Sequence, residues 1–145
     1  MRKVLLVLLC GAQLAAQQPA QTGPQAMDQV LRGLDAKRDA YASVANQIWS
    51  FAELGYQEEK SSSLLQSELR AAGFTVKAGV ADIPTAFVAT WGSGKPVIGI
   101  VGEFDALPGL SQAAEPERHA IEAEGPGHGC GHHLFGTAST AAAKA

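Results

Sequence analysis

From Met27 to Phe51 the apolar residues Val30, Leu34, Tyr41, Val44, Ile48 and Phe51 recur at intervals of three, four and, once, seven. That is the period of an amphipathic helix, and Gly55 fits its C-terminal stop. A second helix is predicted over about Glu58–Ala72, with Leu65, Leu69 and Ala72 on one side and Gly73 closing it. Glu58 and Glu59 suit the positive end of its dipole. At Phe74 the period changes to two: Phe74, Val76, Ala78 and Val80 alternate with Thr75, Lys77 and Gly79, as in a half-exposed strand. Ala86–Trp91 follows the break at Pro84 as a second strand, and the turn-type residues Gly92–Pro96 predict a hairpin joining it to Val97–Val101. This last run has no polar residue, so burial on both faces is expected.

Glu103–Gly131 is a long irregular stretch with Pro108, Pro116 and Pro126 and the acidic residues Glu115, Glu117, Glu122 and Glu124. A connection of that length is either functional or disordered. His133–Ala145 reads as the start of an alanine-rich helix that reaches the last residue without a stop signal. No internal repeat is present.

The first residues carry a different signal. Arg2 and Lys3, the apolar run Val4–Cys10 and the small residues Ala12, Ala15 and Ala16 have the three-part layout of a secretory leader. The run is too short to span a bilayer. The division expected is a signal peptide over residues 1–20, a flexible mature N-terminus over 21–26 and a folded part over 27–145, in a periplasmic or secreted protein. Leu14 sits badly for cleavage after Ala16, so the cut site and an uncleaved anchor stay open. After removal of the leader, Cys130 is the one remaining cysteine and no intramolecular disulfide can form. The net charge of -3, with signs mixed along the chain, offers no basic face for a phosphate backbone, so neither nucleic acid nor an anionic membrane is an expected partner. A chain of 145 residues makes one ordinary domain rather than a two-domain enzyme.

Candidate chemistry concentrates in Gly127–His128–Gly129–Cys130–Gly131–His132–His133, which holds three of the four histidines. Thiolate and imidazole are the donors that a borderline-soft cation such as zinc accepts most readily. Side chains two apart share one side of an extended segment; with glycine at 127, 129 and 131 keeping the chain out of a helix, Cys130 and His132 are expected to converge. Spacing alone leaves a glycine-rich loop with a buried cysteine equally open, because a tetrahedral site needs more ligands than this segment offers. Gly102–Glu103–Phe104–Asp105 follows the most apolar run, where ligands collect in open α/β sheets. Composition by itself reads Asp105 as the first residue of a turn continued by Pro108–Gly109. Gly92–Ser93–Gly94–Lys95 has the outline of a phosphate loop, but Pro96 and a strand follow in place of Ser or Thr and a helix, so nucleotide binding is rejected. His119 reads as a solvated histidine, and Trp49 and Phe51 as core.

Four segments taken in order resemble one family. They are Phe51–Ala52–Glu53–Leu54–Gly55–Tyr56–Gln57–Glu58; Gly79–Val80 with Ile83–Pro84–Thr85–Ala86; Gly102–Glu103–Phe104–Asp105–Ala106–Leu107–Pro108–Gly109–Leu110–Ser111–Gln112; and Gly127–His128–Gly129–Cys130–Gly131–His132. Together they are similar to the p-aminobenzoyl-glutamate hydrolase B-subunit group of the di-metal aminoacylase and carboxypeptidase superfamily, from about Ala40 to the last residue. The resemblance implies an α/β fold, the N-terminal part of a di-metal aminopeptidase-like catalytic domain with helices packed on a mixed sheet and truncated within this chain. It implies two divalent ions (Zn, Mn or Co), with Cys130 a ligand bridging them, His132 a second ligand, and Asp105 the aspartate that steadies the metal site. Glu103 stands where many relatives carry a ligand histidine, His133 where they often carry Asn or Asp, and His128 at the rim; no ligand role is carried onto these three. The general-base glutamate and the remaining ligands are expected beyond Ala145, so this chain by itself is expected to be inactive. The implied substrate is a small amide joining an acyl or aminobenzoyl group to an amino acid, and the full protein a homodimer. Dipeptides, other N-acyl or indole-acetyl amino acids, and a non-catalytic metal-binding module are the alternatives.

Overall fold

The computed structural model describes residues 23–145. The leader-like segment and residues 17–22 lie outside the described residues. Among the described residues the chain forms four α-helices and a two-stranded antiparallel sheet, an α/β arrangement.

The single helix expected from Met27 is two. α1 spans Pro24–Asp35 and α2 spans Arg38–Phe51. The break falls in the seven-residue gap between Leu34 and Tyr41, where Lys37 and Arg38 occupy the turn that an uninterrupted apolar stripe would need. Pro24 and Gln25, expected in the flexible stretch, begin α1 instead; proline is well suited to a first helical position, where its missing N–H is no loss. The stop at Gly55 is also displaced. α2 ends where Ala52 turns left-handed at φ 45°, its N–H donating to the Ile48 carbonyl at 3.2 Å.

α3 spans Glu59–Ala71. Glu53 serves its N-terminus from the preceding loop, accepting hydrogen bonds from Lys60 N at 2.9 Å, Ser61 N at 2.8 Å and Ser61 Oγ at 2.7 Å. Glu58 is buried and accepts from Thr85 Oγ1 at 2.6 Å, while Ser62 Oγ donates to the Thr85 carbonyl at 2.6 Å. The Thr85 bonds pin the Ile83–Ala86 segment to α3, and together these contacts account for Glu53, Glu58 and Thr85 of the first two motifs.

β1 (Thr75–Ala78) pairs antiparallel with β2 (Phe87–Thr90), Thr75 opposite Thr90 and Ala78 opposite Phe87. The partner of the second strand is therefore the first. Val97–Val101, expected as a buried third strand, forms no strand and is unpaired, and Val97 and Ile98 are 85% and 83% exposed. An apolar run becomes a doubly buried strand only when neighbours supply both ladders and both faces, and the described residues supply neither ladder.

α4 spans His132–Lys144. The core is Val44, Ile48 and Leu65, with Leu64, Phe87 and Phe104 packed against it. α2, α3 and α4 pack on one another. Lys144 ties them at the far end, donating to Glu68 Oε2 at 2.7 Å with its Nζ 5.3 Å from the centre of the Tyr41 ring. At the near end Gly136 lies directly on the Glu103 carbonyl, so that a Cβ there would fall 2.9 Å from that oxygen. No helix among the described residues is long and apolar enough to cross a membrane.

Candidate metal centre

Two segments far apart in sequence meet where Phe104 enters the core. The first leaves the apolar run: Ser139 Oγ of α4 donates to the Val101 carbonyl at 2.9 Å, Phe104 stacks on Phe87 with centroids 6.0 Å apart, and Ala106 N donates to the Glu53 carbonyl at 2.7 Å. Glu103 and Asp105 flank Phe104, and with Phe104 turned inward both carboxylates face the start of α4. The second segment is the glycine-rich loop. Leu107 and Gly127 exchange two backbone bonds of 3.0 Å, and a Cβ at Gly127 would overlap the Leu110 carbonyl. Only glycine lets the two segments approach that closely.

The loop is not extended as expected. Gly131 N donates to the His128 carbonyl at 3.2 Å, closing a turn, and Gly131 is left-handed at φ 78° immediately before α4. Cys130 and His132 are therefore separated by the change from turn to helix. Cys130, free and exposed, stands at the tip of the turn. His132 opens α4 and reaches the carboxylates: its Nδ1 is 2.8 Å from Asp105 Oδ1 and its Nε2 is 3.1 Å from Glu103 Oε2. Asp105 and His132 are half-buried and Glu103 is exposed.

Glu103, Asp105 and His132 each offer a ligand atom within 4.8 Å of the others. One imidazole nitrogen with carboxylate oxygens is a donor set that zinc, manganese and cobalt all accept, so the residues fit a divalent cation. Their roles differ. A carboxylate on Nδ1 fixes the tautomer and orientation of an imidazole whose Nε2 faces a metal, which is where Asp105 stands. Glu103, on the Nε2 side, stands where a co-ligand would. Cys130 lies outside this group of three. Sequence patterning singled out Glu103 beside Asp105 but left its role open, because the pairing with His132 depends on α4 lying across the exit of the run, which no local period records.

His128 and His133 sit behind the loop with ring centroids 4.9 Å apart. His128 Nε2 donates to the Ile48 carbonyl at 3.0 Å. Burial pushes both imidazoles below their ordinary range, and each also feels a neighbouring histidine. On the loop's other flank a cavity of about 360 Å³ is lined by Trp49, Phe51, Leu110, Ile121 and His128; Trp49 and Phe51, expected in the core, are half-buried in its wall. His119, in the long irregular stretch, pairs with Glu115 and takes no part in the site.

No family model matches the chain. It is 49% identical over 113 residues, 77% of its length, to the B-subunit of p-aminobenzoyl-glutamate hydrolase from Escherichia coli (strain K12), of which it covers 24%. It is 29% identical to human Xaa-Arg dipeptidase, with 76% of this chain and 24% of that one aligned. To IAA-amino acid hydrolase ILR1-like 5 of Arabidopsis thaliana it is 32% identical, with 75% and 25% aligned. The chain thus spans about a quarter of the length of the curated relatives it matches. With nearly half of the aligned residues identical, the chain is similar over about three quarters of its own length to the p-aminobenzoyl-glutamate hydrolase B-subunit.

Proposed function

We propose that this sequence supplies part of the metal centre of a cation-dependent amidohydrolase that cleaves the amide between an acyl or aminobenzoyl group and an amino acid. The observation that carries the reading is His132 held between Asp105 and Glu103, in a chain 49% and 32% identical over the aligned parts to relatives named as hydrolases of such bonds. Asp105 accepts the Nδ1 proton and leaves Nε2 as the ligand nitrogen. His132 would hold a cation, with Glu103 beside Nε2 as a further carboxylate donor; Cys130, exposed on the neighbouring turn and outside that group of three, is assigned as the second ligand from the family resemblance. Two bound cations, Zn, Mn or Co, would polarise the scissile carbonyl and lower the pKa of water from about 15.7 to roughly 7. The general base and the remaining ligands are assigned to sequence beyond Ala145, which leaves residues 27–145 inactive by themselves. The uncovered apolar run Val97–Val101 agrees with that assignment, since relatives about four times as long have chain to lay over it.

Arg2 to Ala16 support export to the periplasm or outside the cell, with residues 1–20 removed and 21–26 leading into the domain. The Escherichia coli relative is named as one part of a multi-chain hydrolase, which supports an oligomer, and we assign a homodimer. The dipeptidase and IAA-amino acid hydrolase relatives favour a second substrate reading, dipeptides or indole-acetyl amino acids. The test is hydrolysis of p-aminobenzoyl-glutamate, Xaa-Arg dipeptides and indole-acetyl amino acids by the full natural chain, with and without a chelator. Turnover of one class, abolished by chelation and restored by added Zn2+, Mn2+ or Co2+, is the expected result. Turnover that survives complete metal removal overturns the reading.

A further inference from the structure

Between Gly127 and the start of α4, one side chain ties the loop to the rest of the molecule. Gly127, Gly129 and Gly131 have none to offer, and Cys130 is exposed. His128 instead spans 80 positions of sequence to reach the carbonyl of Ile48, at 3.0 Å. That acceptor is well chosen. Ile48 is fully buried in the last turn of α2, and the same carbonyl already accepts Ala52 N at 3.2 Å, so it marks a rigid part of the core.

The chemistry of the contact fixes the ring. A carbonyl only accepts, so His128 Nε2 carries the hydrogen and Nδ1 the lone pair. Nδ1 is buried without a hydrogen-bond partner among the described residues, which leaves Nε2 as the ring's one polar tie. His133, the second residue of α4, lies against the ring, with centroids 4.9 Å apart. From this anchored residue the chain turns through the Gly131 N to His128 carbonyl bond, and Leu134 N and Phe135 N then donate to the Gly131 carbonyl at 2.9 and 3.1 Å to begin α4.

We propose that His128 is a positioning residue, whose bond from Nε2 to the Ile48 carbonyl sets the turn that carries Cys130 and delivers His132 to Asp105 and Glu103. The consequence for cation binding rests on the metal reading above, whereas the setting of the turn does not. His128 touches neither substrate nor cation and acts through the geometry of its neighbours.

The test compares the full natural chain with His128→Leu and His128→Gln. Leucine fills similar space without a donor, and the Ile48 carbonyl keeps its bond from Ala52, so the fold is retained. Glutamine places an amide N–H at nearly the same reach. Hydrogen exchange of the Gly129 and Gly131 amides is expected to rise about tenfold in His128→Leu, equivalent to the loss of one ordinary hydrogen bond, and to stay near the parent value in His128→Gln. Titration with Co2+ alone, followed by thiolate-to-cobalt absorption, is expected to weaken about 10–100-fold in His128→Leu and to recover in His128→Gln. Parent-like exchange and Co2+ affinity in His128→Leu overturn the proposal, as does equal damage in both variants. If the parent takes up no Co2+ while the exchange rates follow the expected order, the positioning role stands and the metal reading falls.

Discussion

Asp105 Oδ1 lies 2.8 Å from His132 Nδ1, joining the exit of the apolar run to the first residue of α4 across 27 positions of sequence. This contact holds the His132 ring through Nδ1 and leaves Nε2 on the Glu103 side. Removing a carboxylate behind a ligand histidine typically costs about 10–100-fold in metal affinity. Asp105→Ala in the full natural chain is therefore expected to weaken Zn2+ or Mn2+ binding by about that factor, measured by calorimetry. Asp105→Asn, which keeps an acceptor oxygen but not the charge, should lose less. Equal affinity in Asp105→Ala and the parent would remove Asp105 from the site.

Gly136 controls how closely α4 approaches that exit. An added Cβ falls 2.9 Å from the Glu103 carbonyl oxygen and 3.0 Å from the Phe104 Cβ, and the first of these is backbone that cannot swing away. Overpacking of this kind costs about 1–3 kcal/mol, against a helix-propensity gain of about 1 kcal/mol for glycine to alanine. Gly136→Ala is expected to lower the denaturation midpoint despite the better helix former. Gly99→Ala makes the comparison, because a Cβ there meets nothing within 4 Å, and its loss should be smaller.

These two contacts mark the limit of what is legible in the sequence. Leu65 and Leu69 were readable as the buried side of α3, and the change of period at Phe74 located β1, because each depends on spacing within one element. The break at Ala36–Lys37 was visible only as a longer gap in the apolar stripe. Val97–Val101 shows the opposite case: the run is as apolar as a central strand, yet burial is a property of its neighbours. At the site, Cys130 and His132 stood out by residue type, whereas the convergence of Glu103 and Asp105 on His132, and the turn that sends Cys130 to the surface, depend on how α4 crosses a distant segment. Fine structure failed where the information was tertiary.

Glu53 is a second residue whose role depends on a distant partner. Its carboxylate takes three hydrogen bonds at the N-terminus of α3 while its carbonyl accepts Ala106 N, so one residue couples the helix to the segment that carries Asp105. Loss of an N-terminal cap costs about 0.5–2 kcal/mol, and hydrogen bonds to a charged group about 1.5–3 kcal/mol. Glu53→Ala is expected to destabilise the chain by about 2 kcal/mol in urea unfolding. Glu53→Gln, which retains one acceptor oxygen, should recover part of it. A midpoint unchanged in Glu53→Ala would mean that water caps α3 equally well.

The facing imidazoles make stability depend on pH. Burial lowers the pKa of His128, and lowers that of His133 together with the neighbouring His128, from the ordinary 6.5. In the unfolded chain both regain ordinary values, so between 6.5 and the lower folded values the unfolded state binds more protons. The slope of unfolding free energy against pH is then positive. Stability is full above the unfolded value, falls as pH drops through it, and levels off once the folded rings also protonate. Urea unfolding of metal-free protein from about pH 7 to about pH 5.5 should show a falling midpoint, above the range in which ordinary carboxylates titrate. His128→Gln with His133→Gln should flatten that slope while leaving the steeper loss at lower pH in place. A slope identical in parent and double variant would assign the dependence to other groups and leave both rings freely protonated in the fold.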